Sequence, residues 1–224
     1  MAADSSGIPN PWLSWKYVSG HYDAIAAATI QHISLTLVSV GAGLVISLPL
    51  ALLATRRRWT AGPILAISGV LYTVPSLALF VALVPITGLK PLTVEIGLTA
   101  YTLVILVRNI AAGLAGVPAD VVEAARGLGY RSTRLLLQVE LPLALPAILA
   151  GLRVATVSTI ALATIGGYVG YGGLGDLIFQ GLNSLYRAQV LTASLLCVLL
   201  AVVADLGLLG LQRLLTPWTR TVSA

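Results

Sequence analysis

Few residues in this 224-residue chain have the chemistry to act as acids, bases, nucleophiles or ligands: 13 Lys and Arg, 8 Asp and Glu, two histidines and one cysteine. His21 and His32 lack H-E-x-x-H spacing and an acidic neighbour, so no metal site is expected. Cys197 stands alone in an apolar run, forms no intrachain disulfide or cysteine cluster, and reads as packing. The glycine-rich run from Gly166 to Gly181 has neither G-x-x-x-x-G-K-S/T nor a strand-to-helix setting, which excludes a phosphate-binding loop. What remains is a dense group of charges between Pro118 and Pro142, namely Asp120, Glu123, Arg126, Arg131, Arg134 and Glu140, and three charges isolated in apolar surroundings, Arg108, Arg153 and Asp205. Such patterns suit docking and ion pairing rather than catalysis, and no enzymatic activity is expected.

The dense group belongs in water, because a hydrocarbon core does not tolerate that charge density. Pro118 suits the first turn of a helix, and Asp120 and Glu123 complement the positive end of its dipole. Gly127 and Gly129 can supply the left-handed residue that stops it. Ser132 and Thr133 are candidate N-caps for a second helix through Leu135, Leu136, Leu137 and Val139, which Pro142 should end by disfavouring helix at Leu141. The expected element is a helix, a glycine turn and a second helix on one face of a membrane.

The elements that hold these charges are membrane spans. Hydrophobic residues are 58% of the sequence and charged residues 9%, outside the range of soluble domains. The net charge of +5 then reflects basic residues on the cytoplasmic side rather than nucleic-acid binding. Apolar runs of about 20 residues, enough to cross ~30 Å of hydrocarbon, are expected near residues 33–54, 63–86, 94–114, 143–165 and 190–211. Arg56, Arg57 and Arg58 mark the end of the first as cytoplasmic, which places the N-terminus outside and the C-terminus, with Arg213 and Arg220, inside. Lys16, Lys90 and Arg187 then lie outside. Pro75 should kink the second run. Residues 1–32 read as an extracytoplasmic tail, retained rather than cleaved, with Trp12, Trp15, Tyr17 and Tyr22 suited to the interface. Residues 33–215 read as one transmembrane domain and 216–224 as a cytoplasmic tail.

The fourth run carries Ala147, Gly151, Ala155, Thr159, Ala163 and Gly167, a stripe of small residues expected to pack closely on another helix. Beyond it, seven glycines between Gly166 and Gly181 argue against a straight helix, so residues 166–183 should be shielded by protein or line a wet cavity. Arg153 and Asp205 are expected at one depth, about 13 to 15 Å from the cytoplasmic edge. Two readings stay open: an ion pair between them, or both basic residues, Arg108 and Arg153, in the water of an inward-open cavity with Asp205 hydrogen-bonded elsewhere. Arg108, shallower in the third run, can snorkel.

Glu123-Ala124-Ala125, three residues, Gly129, nine residues, then Val139-Glu140-Leu141-Pro142 resembles the EAA loop of permease subunits in bacterial binding-protein-dependent ABC importers. The similarity runs from about Ile33 to Leu215 and includes Leu141-Pro142-Leu143-Ala144-Leu145-Pro146 and Ala150-Gly151-Leu152-Arg153. Gly172-Gly173-Leu174-Gly175-Asp176 is most similar to the osmoprotectant branch, which takes up glycine betaine, carnitine and choline, although methionine-type permeases carry similar text. The chain departs from the pattern at Gly167-Tyr168-Val169-Gly170-Tyr171. The two tyrosines suit either cation-π contact with a quaternary ammonium or an aromatic belt.

The resemblance implies an all-α integral membrane protein, a five-span type I importer permease with a methionine-permease-like fold. It implies ATPase coupling through Glu123, Ala124, Ala125, Gly129, Arg131, Leu141 and Pro142, and a place near the outer end of the pathway for Tyr168, Tyr171, Gly172, Gly173, Gly175 and Asp176. The implied partners are ABC ATPase subunits, an extracytoplasmic substrate-binding protein, a second permease chain and membrane lipid, with no nucleic acid. ATP and magnesium belong to the ATPase, and no cofactor is expected on this chain. The implied location is the bacterial plasma membrane. The alternatives are a methionine or other amino-acid importer and, from another class, an ion-coupled secondary transporter, for which no midplane ion site or structural repeat is visible. A membrane-embedded enzyme would need converging acids, bases or ligands, and the spans hold few.

Overall fold

The computed structural model describes residues 10–218, the side chain of Arg58 excepted; residues 1–9 and Arg220 lie outside it. Every regular element among the described residues is helical. In chain order these are α1 (Trp15–Gly20), α2 (Tyr22–Arg56), α3 (Arg58–Thr73), α4 (Ser76–Thr87), α5 (Pro91–Ala115), α6 (Ala119–Gly127), α7 (Ser132–Leu135), α8 (Leu141–Ala163), α9 (Leu174–Asn183) and α10 (Arg187–Leu215). A π-helical turn, Leu136–Glu140, joins α7 to α8, and a 3-10 turn, Thr164–Val169, follows α8. Four helical stretches are long and apolar enough to cross a membrane, and a fifth arises if the broken pair α3 and α4 counts as one.

Three boundaries differ from the sequence expectation, each for a physical reason. The first helix begins at Tyr22 rather than near Ile33, because the alanine-rich run after Asp23 is a strong helix former whether or not it is apolar. Its 35 residues are about 52 Å long, so it must tilt or project beyond the hydrocarbon. The second span is broken rather than kinked. Val74 leaves the helix and Pro75 is extended, with φ −58° and ψ 131°, as proline sterics require of the residue before it and permit in the ring itself. Pro142 does not end the second loop helix: Leu141 is helical, with φ −64° and ψ −45°, and α7, the π turn and α8 run on as one rod. The wider π turn directly ahead of Pro142 makes room for a ring with no N–H to give.

The chain divides into two compact units. The first comprises residues 10–41, 74–99 and 156–204. One of its cores joins Tyr17, Ile25 and Ala28 to Leu174, Leu177, Ala188 and Ala193. Its other core gathers Leu35, Phe80, Val94, Leu98, Ala163 and Val169, where a Cβ at residue 97 would fall 2.5 Å from the Phe80 ring, so Gly97 lets that ring in. The second unit comprises residues 42–73, 100–155 and 205–218, with a core of Ala51, Leu106, Val107, Ile110, Ala144, Ile148 and Ala155. Here α5 and α8 touch backbone to backbone: a Cβ at Gly151 would meet Asn109 Cβ at 2.4 Å, and one at Gly113 would meet the Ala144 carbonyl at 3.0 Å. The small-residue stripe of α8 is the buried side of that helix at Gly151, Ala155, Thr159 and Ala163, as close packing in lipid demands. On α10, Val198, Leu199, Val202, Val203 and Leu206 are exposed, a helical-period apolar surface suited to lipid.

Candidate functional site

The charged loop is built on α6. Pro118, with φ −59° and ψ 133°, is the last extended residue before it, and Asp120 lies in its first turn. Ala125 faces inward, while Asp120, Glu123, Ala124 and Arg126 are exposed. The helix ends in a Schellman motif, in which the Tyr130 N–H donates to the Ala125 carbonyl at 3.1 Å and the Gly129 N–H to the Arg126 carbonyl at 2.9 Å. That motif puts residue 129 in the left-handed region, φ +84°, and a Cβ there would meet nothing within 4 Å. Handedness, not crowding, therefore demands glycine. Gly127 is an ordinary helical residue, so of the two expected stop residues only Gly129 acts as one.

Beyond the turn, Arg131 rather than Ser132 or Thr133 holds the N-cap position, and no side chain caps α7. Arg131 is exposed. Arg134 lies 4.5 Å above the Tyr130 ring and donates to Gln138 at 2.9 Å, which fixes its cation on the loop surface. Leu128 and Leu137 are exposed apolar residues on this otherwise polar element. Glu140 departs from the expected solvated set: it is buried and its carboxylate accepts from the Arg56 guanidinium at the end of α2. The sequence signal for that pair was an acid just before the fourth span and a basic cluster just after the first, both at cytoplasmic depth.

The glycine-rich segment is folded tightly and is anchored by a residue to which sequence reasoning gave no role. His32, fully buried on α2, places Nδ1 3.0 Å from the Gly172 carbonyl and Nε2 3.0 Å from the Ile160 carbonyl, bridging α2, α8 and the segment. The available signal was its position as a polar residue in a long apolar helix, where the default reading is functional or paired. Residue 173 has φ +59°, and a Cβ there would come within 2.6 Å of the His32 backbone nitrogen, so Gly173 is required by both conformation and space. Asp176, in the first turn of α9, accepts from the Gly172 N–H at 2.9 Å. Burial pushes its carboxyl up, against the opposing pull of the Gly172 and Gly173 N–H groups and of His32. Gly175 is buried against the Thr164 carbonyl. Tyr171 packs on the Phe80 core, whereas Tyr168 is 63% exposed with its ring edge-on to Phe179, so the two rings have different roles.

Of the three isolated charges, two meet. Arg153 donates from Nε and Nη2 to the two carboxylate oxygens of Asp205, each at 2.9 Å, a bidentate fork between α8 and α10. Among the described residues no acid is brought to Arg108. It is exposed and lines two cavities, of about 500 and about 720 Å³. No group of three or more His, Cys, Asp or Glu that could hold a metal ion occurs among the described residues.

Comparison with known proteins gives this geometry its setting. Residues 43–221 match the family described as binding-protein-dependent transport system inner membrane component. The chain is 35% identical over 189 residues to the choline transport system permease protein OpuBB of Bacillus subtilis, covering 84% of this chain and 87% of that one. It is 38% identical over 190 residues to the carnitine transport permease protein OpuCB of Listeria monocytogenes, covering 84% and 87%. It is 35% identical over 206 residues to the osmoprotectant import permease protein OsmW of Salmonella typhimurium, covering 90% and 96%. Among solved structures, the inward-facing MetNI methionine ABC transporter superposes with a TM-score of 0.78 at 23% identity, over 88% of this chain and 98% of that one, which shows the type I importer fold. The chain therefore belongs to the binding-protein-dependent transport family, as a multi-pass permease component of the inner membrane.

Proposed function

We propose that this chain is the transmembrane pathway subunit of an ATP-driven importer for quaternary-amine osmoprotectants. The observation that carries the reading is 35–38% identity, over most of both chains, to permeases named for choline, carnitine and osmoprotectant import. Those names favour this substrate class over methionine, since the likeness to the methionine transporter is one of fold. The exposed charges of α6, its Gly129 stop and the apolar Leu128 and Leu137 support its use as a coupling element that docks on an ATPase. ATP and magnesium are held by that ATPase, and this chain, which binds no cofactor, converts docking motion into alternating access of a single transmembrane domain. Two permease chains, two ATPases and an extracytoplasmic binding protein make up the working assembly. The N-terminus and residues 166–183 face outward, where the glycine segment with Tyr168, Tyr171 and Asp176 forms the outer end of the pathway; residues 118–142 and the C-terminus face the cytoplasm.

The test is uptake by vesicles holding the complete importer. Glycine betaine, choline or carnitine should accumulate only with ATP, and excess methionine should not compete. Accumulation driven by an ion gradient without ATP, or competition by methionine but not glycine betaine, refutes the reading. In a Cys197→Ser background, single cysteines at Ser132 and Asn183 should label from opposite sides with an impermeant reagent.

A further inference from the structure

The two cavities beside Arg108 share Leu65 and Arg108 in their walls, so the guanidinium stands at their junction. The smaller also contains the Arg56 and Glu140 pair, whose charges offset each other. The larger, about 720 Å³, is walled mainly by aliphatic residues and glycine, with Tyr72, Thr73, Arg108 and Asn109 as its polar groups. Two of these are committed elsewhere: the Thr73 hydroxyl donates to the Val70 carbonyl at 2.8 Å, and the Asn109 amide to the Ile105 carbonyl at 2.8 Å. Tyr72 is 48% exposed and its ring forms a T-shaped pair with that of the buried Tyr101, centroids 5.9 Å apart and planes at 73°. Arg108 forms neither an ion pair nor a hydrogen bond among the described residues, unlike Arg56 and Arg153.

The spacing of the two uncommitted groups is set by α3. A Cβ built on Gly69 would lie 3.9 Å from Nη2 of Arg108, so the guanidinium rests against the glycine, which leaves it room. Gly69 and Tyr72 are three residues apart on one helix face, about 4.5 Å along the axis. The guanidinium thus rests on α3 about one helix turn from the residue that bears the aromatic ring, and both line one largely apolar cavity. A molecule with a carboxylate at one end and a quaternary ammonium at the other matches both: the guanidinium fork takes the carboxylate and the ring face takes the ammonium.

We propose that the Arg108 and Tyr72 cavity is a transit subsite for zwitterionic quaternary amines, a proposal that rests on the osmoprotectant reading above. Its affinity is low, as a site that must be left on every cycle requires. Charge gives it selectivity within the class. A betaine satisfies Arg108, whereas choline has an ammonium but no carboxylate and is repelled by it.

The test uses the complete importer in vesicles, with ATP inside and saturating loaded binding protein, and compares maximal uptake of glycine betaine and choline. Arg108→Gln should lower the betaine-to-choline ratio about tenfold, the factor carried by ~1.4 kcal/mol, and Arg108→Lys should restore most of it. Tyr72→Leu should slow both substrates, and Tyr72→Phe, which keeps the ring, should recover them. An unchanged ratio in Arg108→Gln, an equal loss of both substrates, or wild-type uptake of both by Tyr72→Leu overturns the subsite. Failure of the osmoprotectant reading shows separately, as an unmodified importer that takes up neither substrate, and it overturns the subsite as well.

Discussion

Replacing His32 with leucine keeps much of the side-chain volume and removes the ring whose nitrogens lie 3.0 Å each from the carbonyls of Gly172 and Ile160. Because both partners are acceptors, both bonds exist together only when both ring nitrogens carry protons; a neutral ring donates to one. The Gly172 carbonyl also accepts from the Gly175 N–H at 3.0 Å, so its loss of His32 does not orphan it, and ordinary net values apply. A neutral ring contributes one bond, about 0.5–1.5 kcal/mol, and a ring protonated on both nitrogens two, about 1–3 kcal/mol. The loss is local, in the contact that holds the glycine segment to α2. The assay is hydrogen exchange of the backbone amides of residues 172–176 in the membrane-embedded protein. At ~1.4 kcal/mol per decade, His32→Leu should speed exchange about 2- to 12-fold for the one bond of a neutral ring and up to about 150-fold for two. His32→Asn, whose amide nitrogen can donate to one of the two carbonyls, should speed exchange less than His32→Leu. Exchange within about twofold of the unmodified protein would refute the bridge as the anchor of this segment, and an equal acceleration in α6 would refute its local action.

Three further outcomes follow from local geometry. Gly129→Ala should cost about 1–2 kcal/mol through its left-handed backbone alone, Gly129→Val more, and Gly129→Asn little; proteolysis of the loop is the readout, and equal sensitivity of Asn and Val would show that handedness is not the reason for glycine. Leu185 is a non-glycine residue at φ +54°, in the left-handed position of the α9 stop, so Leu185→Gly should stabilise by about 0.5–1 kcal/mol; a thermal midpoint that does not rise counts against strain there. Asp205→Ala should lower the yield of folded protein by stranding Arg153, and the swap Arg153→Asp with Asp205→Arg should recover part of it. A double variant no better folded than the worse single one removes direct pairing as the cause.

Much of this protein was legible without coordinates because lipid imposes a length and a polarity on every span. Apolar runs of about 20 residues, arginines at their ends and a charged stretch between two of them leave few alternatives to a multi-pass helical protein. The spacing from Ala125 to Gly129 was readable for a similar reason: a Schellman stop is a local backbone requirement, met within six residues. The equal depth of Arg153 and Asp205 followed from helix rise, although their bidentate contact did not, since rise says nothing about which faces of two helices meet. Proline misled in both directions. Pro75 broke a span expected only to kink, and Pro142 was absorbed by a π turn where a helix end was expected, because the outcome depends on whether neighbouring backbone can rearrange around the ring. The tertiary structure alone decided the residues whose partners are far away in the chain. His32 meets Gly172 across 140 positions, and Glu140 meets Arg56 across 84. Among the described residues Arg108 stayed unpaired, whereas Arg56 and Arg153 found acids. A side chain's type announces that it needs a partner; only the packing of helices remote in sequence determines which one it gets.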